Sequence, residues 1–262
     1  MTATDHLYEI LEAGYDRFNQ PGFIPLDPIS IPHRFSKKED IEIAGFLTAT
    51  LSWGNRRSIL NSASRLLDLM ENAPHDFVMQ AGDRERARVI RFYHRTFNGD
   101  DALFFLSALT GIYREYGGLE PLFSVAAERG MKEAIAHFRR CFLAGEHLAR
   151  SEKHLPDPEK GSAAKRLNMF LRWMVRDDGR GVDFGLWKSI PAAVLLCPLD
   201  VHSGRVARSL GLLSRRQNDW KAVEELTGNL ARFDPADPVK YDFALFGSGI
   251  TPPLRCGEGV GG

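Results

Sequence analysis

Apolar residues recur along this chain at the three- and four-residue spacing of amphipathic helices, and the strict alternation typical of strands is almost absent. Glycine, proline and aspartate interrupt the pattern at intervals of about one helix length. The pattern therefore predicts an all-α fold whose middle part is a helical bundle. The predicted helices cover residues 40–52, 56–70, 84–92, 101–116, 119–144, 163–176, 200–210 and 219–230, with a last helix that starts at 237.

Capping signals locate several of these helix starts. Ser36 and Glu39 have the spacing of a capping box, and Ser162 is placed to cap the helix that follows it. Asp200 stands just before one predicted helix, and either Asp219 or Asn218 begins the helix that ends at 230. In such positions an Asp or Asn side chain accepts hydrogen bonds from the first free amides. A carboxylate fixed in this way stays ionised and keeps one orientation, so the capping role of Asp200 is compatible with a catalytic one.

Size and composition limit the classes of protein to consider. The chain has 262 residues, 44% of them hydrophobic, which is enough for one large domain or for two lobes. Its longest uninterrupted apolar run, 190–199, is too short to span a bilayer, and residues 1–6 lack the features of a secretory signal peptide. We therefore expect a soluble protein of the cytoplasm with no membrane partner.

Positive charge is concentrated in one part of a chain whose formal net charge is zero. Residues 160–216 contain eleven Lys or Arg and four Asp, an excess of seven positive charges. Within it, Lys165, Asn168, Arg172 and Arg176 follow one another at helical spacing, and this stripe is the surface that the helix is expected to show to water or ligand. Such a charge excess fits an ordinary solvated face or a surface that binds a polyanion.

The cysteines and histidines do not point to a metal site. Cys141, Cys197 and Cys256 are far apart without a C-x-x-C pair, and the eight histidines form no H-x-x-x-H arrangement. We therefore expect no metal and no cofactor.

Lys165 has a position suited to nucleophilic chemistry. It lies in the first turn of its predicted helix, where the positive end of the helix dipole and the neighbouring Arg166 both disfavour a charged ammonium. A partly neutral amine there is a candidate nucleophile, although the same position also fits an ordinary exposed lysine.

Two segments carry a resemblance to a known superfamily. Residues 199–202 (LDVH) and 205–208 (RVAR) resemble the aspartate-bearing segment of helix-hairpin-helix (HhH-GPD) DNA glycosylases. Residues 51–55 (LSWGN) are similar to the turn that faces the gap left in DNA by an extruded nucleotide, with Asn55 in place of the usual Gln. The resemblance covers roughly residues 36–250.

The hairpin of that superfamily is degenerate in this chain. Residues 184–194 (FGLWKSIPAAV) lack the glycines that let backbone amides approach a phosphate. This resembles the archaeal 8-oxoguanine glycosylases, whose nucleophilic lysine precedes a long helix upstream of the aspartate. Lys165 is 35 residues before Asp200 and is similar in placement, while Lys188 and Lys160 remain alternatives. The chain also resembles a mostly uncharacterised bacterial family through residues 165–176 and 237–247.

The resemblance implies a two-lobed glycosylase fold. Residues 36–165 would form a helical barrel lobe, and residues 1–35 together with 166–250 would form a second lobe that carries the Asp200 helix. The glycine-rich residues 251–262 are expected to be a flexible tail.

The resemblance also implies a base-excision repair enzyme with AP lyase activity, acting as a monomer on double-stranded DNA that contains a flipped damaged purine, with 8-oxoguanine as the first candidate. Lys165 would attack C1′ and Asp200 would stabilise the developing positive sugar. Trp53, Asn55 and Asp242 would contact the base or the hole that it leaves. Phosphate contacts would come from Arg166, Arg172, His202, Arg205, Arg208 and Lys240. A non-catalytic nucleic-acid-binding protein and an RNA-acting relative on the same scaffold remain open alternatives.

Overall fold

Helices make up most of the chain, which confirms the all-α prediction. The computed structural model describes residues 2–250. Its α-helices are α1 (Ala3–Phe18), α2 (Lys38–Leu51), α3 (Arg56–Leu69), α4 (Pro74–Gln80), α5 (Asp83–Val89), α6 (Gly99–Tyr116), α7 (Leu119–Ala127), α8 (Met131–Phe142), α9 (Lys165–Val175), α10 (Val201–Ser209), α11 (Trp220–Leu230) and α12 (Asp242–Ile250). Short 3-10 helices cover Pro21–Leu26, Pro28–Ser30, Pro32–Arg34, Ala149–His154, Ala192–Val194 and Pro238–Tyr241.

One small hairpin interrupts the helices. Strands β1 (Tyr93–His94) and β2 (Phe97–Asn98) pair antiparallel, with His94 opposite Phe97. Arg95, in the turn between them, has a positive φ of 55°. Asn98 ends the hairpin and caps α6, accepting a hydrogen bond from the amide of Asp101 at 3.2 Å.

The helix starts confirm two of the predicted caps and correct two others. Asp200 caps α10 and Asp219 caps α11 through bonds from backbone amides. The prediction of a capping box at Ser36 is wrong, because α2 begins at Lys38 and the residue before it, Lys37, makes no side-chain cap bond. Ser162 accepts a bond from the amide of residue 164, but α9 begins later than predicted because Ala164 has a left-handed φ of 46°. Lys165 is therefore the first residue of α9.

The predicted helix at 119–144 is also wrong, since two helices occupy that range. Gly130 has a φ of +99° between α7 and α8, a backbone conformation that glycine adopts without steric cost and that no α-helix contains. The two helices pack against each other instead of continuing as one.

A single apolar core joins the helices. Phe46 of α2 lies near its centre, with ring centroids of Phe105, Phe138, Phe142 and Phe170 between 5.4 and 5.9 Å away. Helix α2 packs against α9, and α1 and α10 both pack against α12, so the N-terminal helix lies beside the C-terminal one. The boundary between the two predicted lobes remains a prediction.

Two further expectations concern the membrane and the tail. In the part of the chain from 2 to 250, no helix is both long and apolar enough to cross a bilayer. The tail predicted at 251–262, with Cys256, lies outside the described residues.

Candidate active site

A cavity of about 600 Å³ opens where the starts of α9, α10 and α12 come together with the turn between α2 and α3. Helix α9 contributes Lys165 and Arg172, α10 contributes its cap Asp200, and α12 contributes Asp242. Trp53, in the turn, forms another part of the wall. The predicted nucleophile, the predicted acid and two of the predicted base-binding residues thus lie around one space.

Lys165 and Asp200 form an ion pair in the wall of this cavity. The Nζ of Lys165 is 3.4 Å from Oδ2 of Asp200, and the two side chains are 30% and 22% exposed. The left-handed Ala164 starts α9 so that its first side chain faces the start of α10. Both groups are therefore accessible from the cavity while each is held at a helix terminus.

Asp200 is held in its ionised form. Its Oδ1 accepts hydrogen bonds from the amides of His202 at 2.8 Å and Ser203 at 2.9 Å. Burial raises the pKa of the carboxyl, but the ammonium of Lys165 and these amide donors outweigh that effect, and the net pKa lies below the ordinary 3.8. The site therefore contains a fixed negative charge next to an amine.

Asp242 has the opposite electrostatic character. It is the first residue of α12 and is almost completely buried, and burial raises its pKa to about 6 even though Arg172 donates a hydrogen bond to its Oδ2. The Sγ of the buried Cys197 is 3.9 Å from the other carboxyl oxygen. Around neutral pH, a small change in surroundings is enough to move Asp242 between its neutral and charged forms.

Asp27 is a further carboxylate in the cavity wall, and sequence reasoning missed it. It caps the short helix Pro28–Ser30 by accepting a bond from the amide of Ile29 at 3.0 Å. The group is buried, and burial raises its pKa. The pair Asp27-Pro28 is a local signal for a helix start, but it does not indicate a place in a cavity wall.

Two phenylalanines that line the cavity were also missed. Phe23 and Phe246 have ring centroids 6.3 Å apart at an interplanar angle of 78°. Nothing in the sequence separates them from ordinary core residues, because cavity-lining and core aromatics follow the same periodicity.

In the turn between α2 and α3, one predicted base-binding residue lines the cavity and the other does not. Trp53 lines the cavity, and the guanidinium carbon of Arg95 lies 4.9 Å from the centroid of its ring. Asn55 is exposed, caps α3 by accepting a bond from the amide of Ser58 at 3.3 Å, and does not line the cavity. Of the two predicted base contacts in this turn, Trp53 is thus inside the cavity and Asn55 is next to it.

The polar stripe on α9 is buried, which corrects the prediction of a surface facing water. Asn168, Arg172 and Arg176 are only 2%, 4% and 1% exposed, and Lys165 is the one member of the stripe with substantial exposure. The stripe faces carboxylates from other segments, and these neutralise its charge.

Several residues predicted to bind phosphate have internal partners instead. Arg166 is largely buried, donates to the backbone oxygens of Thr50 and His154, and burial lowers its pKa to about 10. Lys240 lies 3.0 Å from Glu12 and 2.8 Å from an Asp234 oxygen. For Arg166, Arg172 and Lys240, these partners favour a structural role over a phosphate contact.

Helix α10 presents the remaining phosphate candidates. Arg208 donates to the backbone oxygens of Arg215 and Arg216, at 2.8 and 2.9 Å. His202 and Arg205 are exposed, and His202 also lines the cavity. The phosphate role therefore stays a prediction that fits these last two residues best.

The alternative lysines lie away from the cavity. Lys188 is 70% exposed and pairs with Asp177 at 2.7 Å, and Lys160 is 80% exposed. The segment 184–194, where the resemblance places the hairpin, contains no α-helix, and its Trp187 is buried with its indole nitrogen 2.8 Å from Glu42. Lys165 is the candidate that lines the cavity.

Comparison with known proteins gives a family but no activity. No curated protein and no solved structure shows significant similarity to the chain. The sequence model of one family, described as "Protein of unknown function (DUF2400)", matches residues 27–251, a range that includes Lys165, Asp200 and Asp242. Because this match covers most of the sequence, the chain belongs to the DUF2400 family of proteins of unknown function.

Proposed function

We propose that this protein is a DNA glycosylase with AP lyase activity, acting on a damaged purine that has been flipped out of the duplex. The observation that carries the proposal is the contact of 3.4 Å between the amine of Lys165 and the carboxylate of Asp200 in a cavity wall. A cavity of about 600 Å³ lies in the size range of sites for small organic groups. The amine and the acid come from helices that begin 36 residues apart, at 165 and 201.

The pair supplies the two groups that the chemistry needs. When the C1′–N9 bond breaks, its electron pair goes to the departing purine, which takes up a proton from the ammonium of Lys165. The sugar becomes positively charged, and ionised Asp200 stabilises it. The neutral amine then forms a bond to C1′, and Asp200 accepts the proton that nitrogen loses. The C1′–O4′ bond then breaks, its electron pair goes to O4′, and O4′ takes the proton back from Asp200. The nitrogen lone pair completes a protonated Schiff base between Lys165 and C1′.

Other residues of the cavity wall have the character of a base-binding site. Trp53, Phe23 and Phe246 offer aromatic faces and edges to a flat ring. Asp242 and Asp27 are buried carboxyls with raised pKa values, so each is able to act as an acceptor or, when protonated, as a donor toward a purine edge. We propose 8-oxoguanine as the first base to test, with other damaged purines after it.

Borohydride trapping tests the proposal directly. The full-length protein is incubated with duplexes that contain 8-oxoguanine, another damaged purine or an abasic site, and sodium borohydride then reduces any Schiff base to a stable adduct. We expect an adduct with the unaltered protein and none with Lys165→Ala. Lys165→Arg is the matched variant, because it keeps the positive charge beside Asp200 but removes the nucleophilic amine.

Two surface variants complete the experiment. Lys188→Ala and Lys160→Ala should each leave the adduct undiminished, because both side chains are exposed and lie outside the cavity. An adduct that persists in Lys165→Ala, or that disappears in either surface variant, removes the assigned nucleophile. Salt-sensitive DNA binding without an adduct on any lesion favours the non-catalytic alternative, and tighter binding to RNA favours the RNA-acting one.

A further inference from the structure

A second concave surface lies on the outer side of the turn that forms the cavity wall. It has a volume of about 390 Å³ and is formed by residues 57–65 of α3 and by the β1–β2 hairpin. We call it the α3 groove. Its lining residues are Asn55, Arg57, Ser58, Asn61, Ser62, Arg65, Tyr93, His94 and Arg95.

The charged side chains that line the α3 groove are all arginines. Arg57, Arg65 and Arg95 are exposed, and none of the other six lining residues is acidic. Among the ion pairs of residues 2–250 with a nitrogen–oxygen distance up to 4.0 Å, none involves these three arginines. This contrasts with Arg172 of α9 and with Arg176 just after it, which face internal carboxylates. A cluster of three positive charges without local acids attracts an anion with repeated charges.

Neighbouring contacts hold the groove in shape. Arg65 donates to the backbone oxygen of Tyr93, and its guanidinium carbon lies 4.5 Å from the centroid of that exposed ring. The buried His94 lies 2.9 Å from Ser62, which fixes the hairpin to α3. Arginine stacked on aromatic rings keeps part of its guanidinium edge available for hydrogen bonds.

The groove and the cavity share a wall. Gly54 lines the cavity and Asn55, the next residue, lines the groove. Arg95 lines the groove while its guanidinium lies over the ring of Trp53, which lines the cavity. A duplex whose extruded nucleoside enters the cavity therefore passes its adjoining backbone close to the α3 groove.

We propose that the α3 groove binds the phosphodiester backbone of duplex DNA through Arg57, Arg65 and Arg95. This rests on the proposed function for the choice of duplex DNA as the anion. It also accounts for a feature of the chain that the cavity leaves unexplained: residues 184–194 provide no glycine-rich amide cradle for phosphate, so positive charge elsewhere has to hold the backbone.

Fluorescence anisotropy with a labelled undamaged duplex measures this interaction without any chemistry. We expect the variant Arg57→Gln/Arg65→Gln/Arg95→Gln to bind about tenfold or more weakly at about 0.1 M salt. The slope of log affinity against log salt concentration should become shallower by about 2 to 3, since each lost phosphate contact removes about 0.9. The matched control is Arg129→Gln/Lys132→Gln/Lys221→Gln, which removes three exposed charges outside the groove.

The outcomes separate this proposal from the previous one. Thermal melting first establishes that both triple variants are folded, and the same titration in the Lys165→Ala background shows binding that does not depend on catalysis. A selective loss in the groove variant supports the proposal even when no adduct is trapped on any lesion. It is overturned when the unaltered protein does not bind the duplex, when both triple variants lose the same affinity, or when single-stranded RNA is the tighter ligand.

Discussion

The two ends of α9 carry positive side chains at the same helical spacing but in opposite surroundings. At the N-terminal end, Lys165 faces a cavity, meets Asp200 and keeps 30% of its side-chain exposure. Just beyond the C-terminal end, Arg176 is 1% exposed and contacts carboxylates of Asp178, Asp183 and Asp237, each at 2.8 Å. The buried end holds distant segments together, while the open end leaves a reactive pair accessible.

Exposure, more than the presence of charge, therefore separates a structural ion pair from a functional one. Burial alone lowers the pKa of Arg176, but three carboxylates reverse that effect and raise it. Removing one member of such a network leaves charges without compensation in a medium of low polarity. At the cavity end, water can replace a lost partner, and the cost is small. Variants at the two ends should therefore differ in stability and in activity in opposite senses.

The largest expected effect is at the buried end. Arg176→Gln should lower the free energy of unfolding by about 3 to 5 kcal/mol, because it removes the buried cation that three carboxylates share. Chemical denaturation measures the loss. Arg180→Gln is the matched control: Arg180 also pairs with an aspartate, but Asp16 is 63% exposed, so the expected cost is under about 1 kcal/mol. If Arg176→Gln and Arg180→Gln lower the free energy of unfolding equally, burial does not distinguish the two ion pairs.

The pH dependence of stability should report on Asp242, which lies between the two ends. The folded protein binds this proton more tightly than the unfolded chain, with a pKa of about 6 against 3.8. The stabilisation by the bound proton is fully present below pH 3.8 and is lost as the pH rises through about 6. The stability of the unaltered protein relative to Asp242→Asn should therefore fall by on the order of 2 kcal/mol between about pH 4 and about pH 7.

The variant Asp76→Asn is the control for this pH dependence. Asp76 is exposed, and hydrogen bonds from Lys37 and His75 lower its pKa, so Asp76→Asn should not produce the same trend. Denaturation at several pH values measures both differences. If the stability of the unaltered protein relative to Asp242→Asn rises with pH instead, the folded protein favours the charged carboxyl of Asp242, and the prediction is wrong.

The sequence predicted much of the fold and part of the site. Helix periodicity and the caps at Asp200 and Asp219 are local properties, and they were sufficient for the helix starts that matter most. The burial of Arg172 and Arg176 depends on carboxylates from segments that are distant in the sequence, and periodicity cannot show whether a polar stripe meets water or a neutralising partner. Asp27 joins the cavity for the same reason, through contacts that no local pattern contains.

A smaller effect is expected at Gly54, on the rim between the cavity and the α3 groove. Its φ of +106° is unfavourable for other residues, and an added Cβ would lie 2.5 Å from a guanidinium nitrogen of Arg95. Gly54→Ala should cost about 1 to 2 kcal/mol of stability and should displace Arg95, which weakens binding of duplex DNA. Gly117→Ala is the control, since φ is +79° but nothing lies within 4 Å of the new Cβ. We expect the two variants to lose similar amounts of stability and only Gly54→Ala to bind duplex DNA more weakly. Weaker DNA binding by both variants would contradict this prediction.

The smallest effect on stability is expected at the open end of α9. Lys165→Met keeps the length of the side chain and removes its charge, and the partner Asp200 retains its amide donors from residues 202 and 203. The free energy of unfolding should change by less than about 1 kcal/mol, while the borohydride adduct disappears. Chemical denaturation and trapping on one preparation measure both quantities. A loss of stability as large as that of Arg176→Gln would place Lys165 in the structural network, because a residue that serves a reaction can be removed without weakening the fold that presents it.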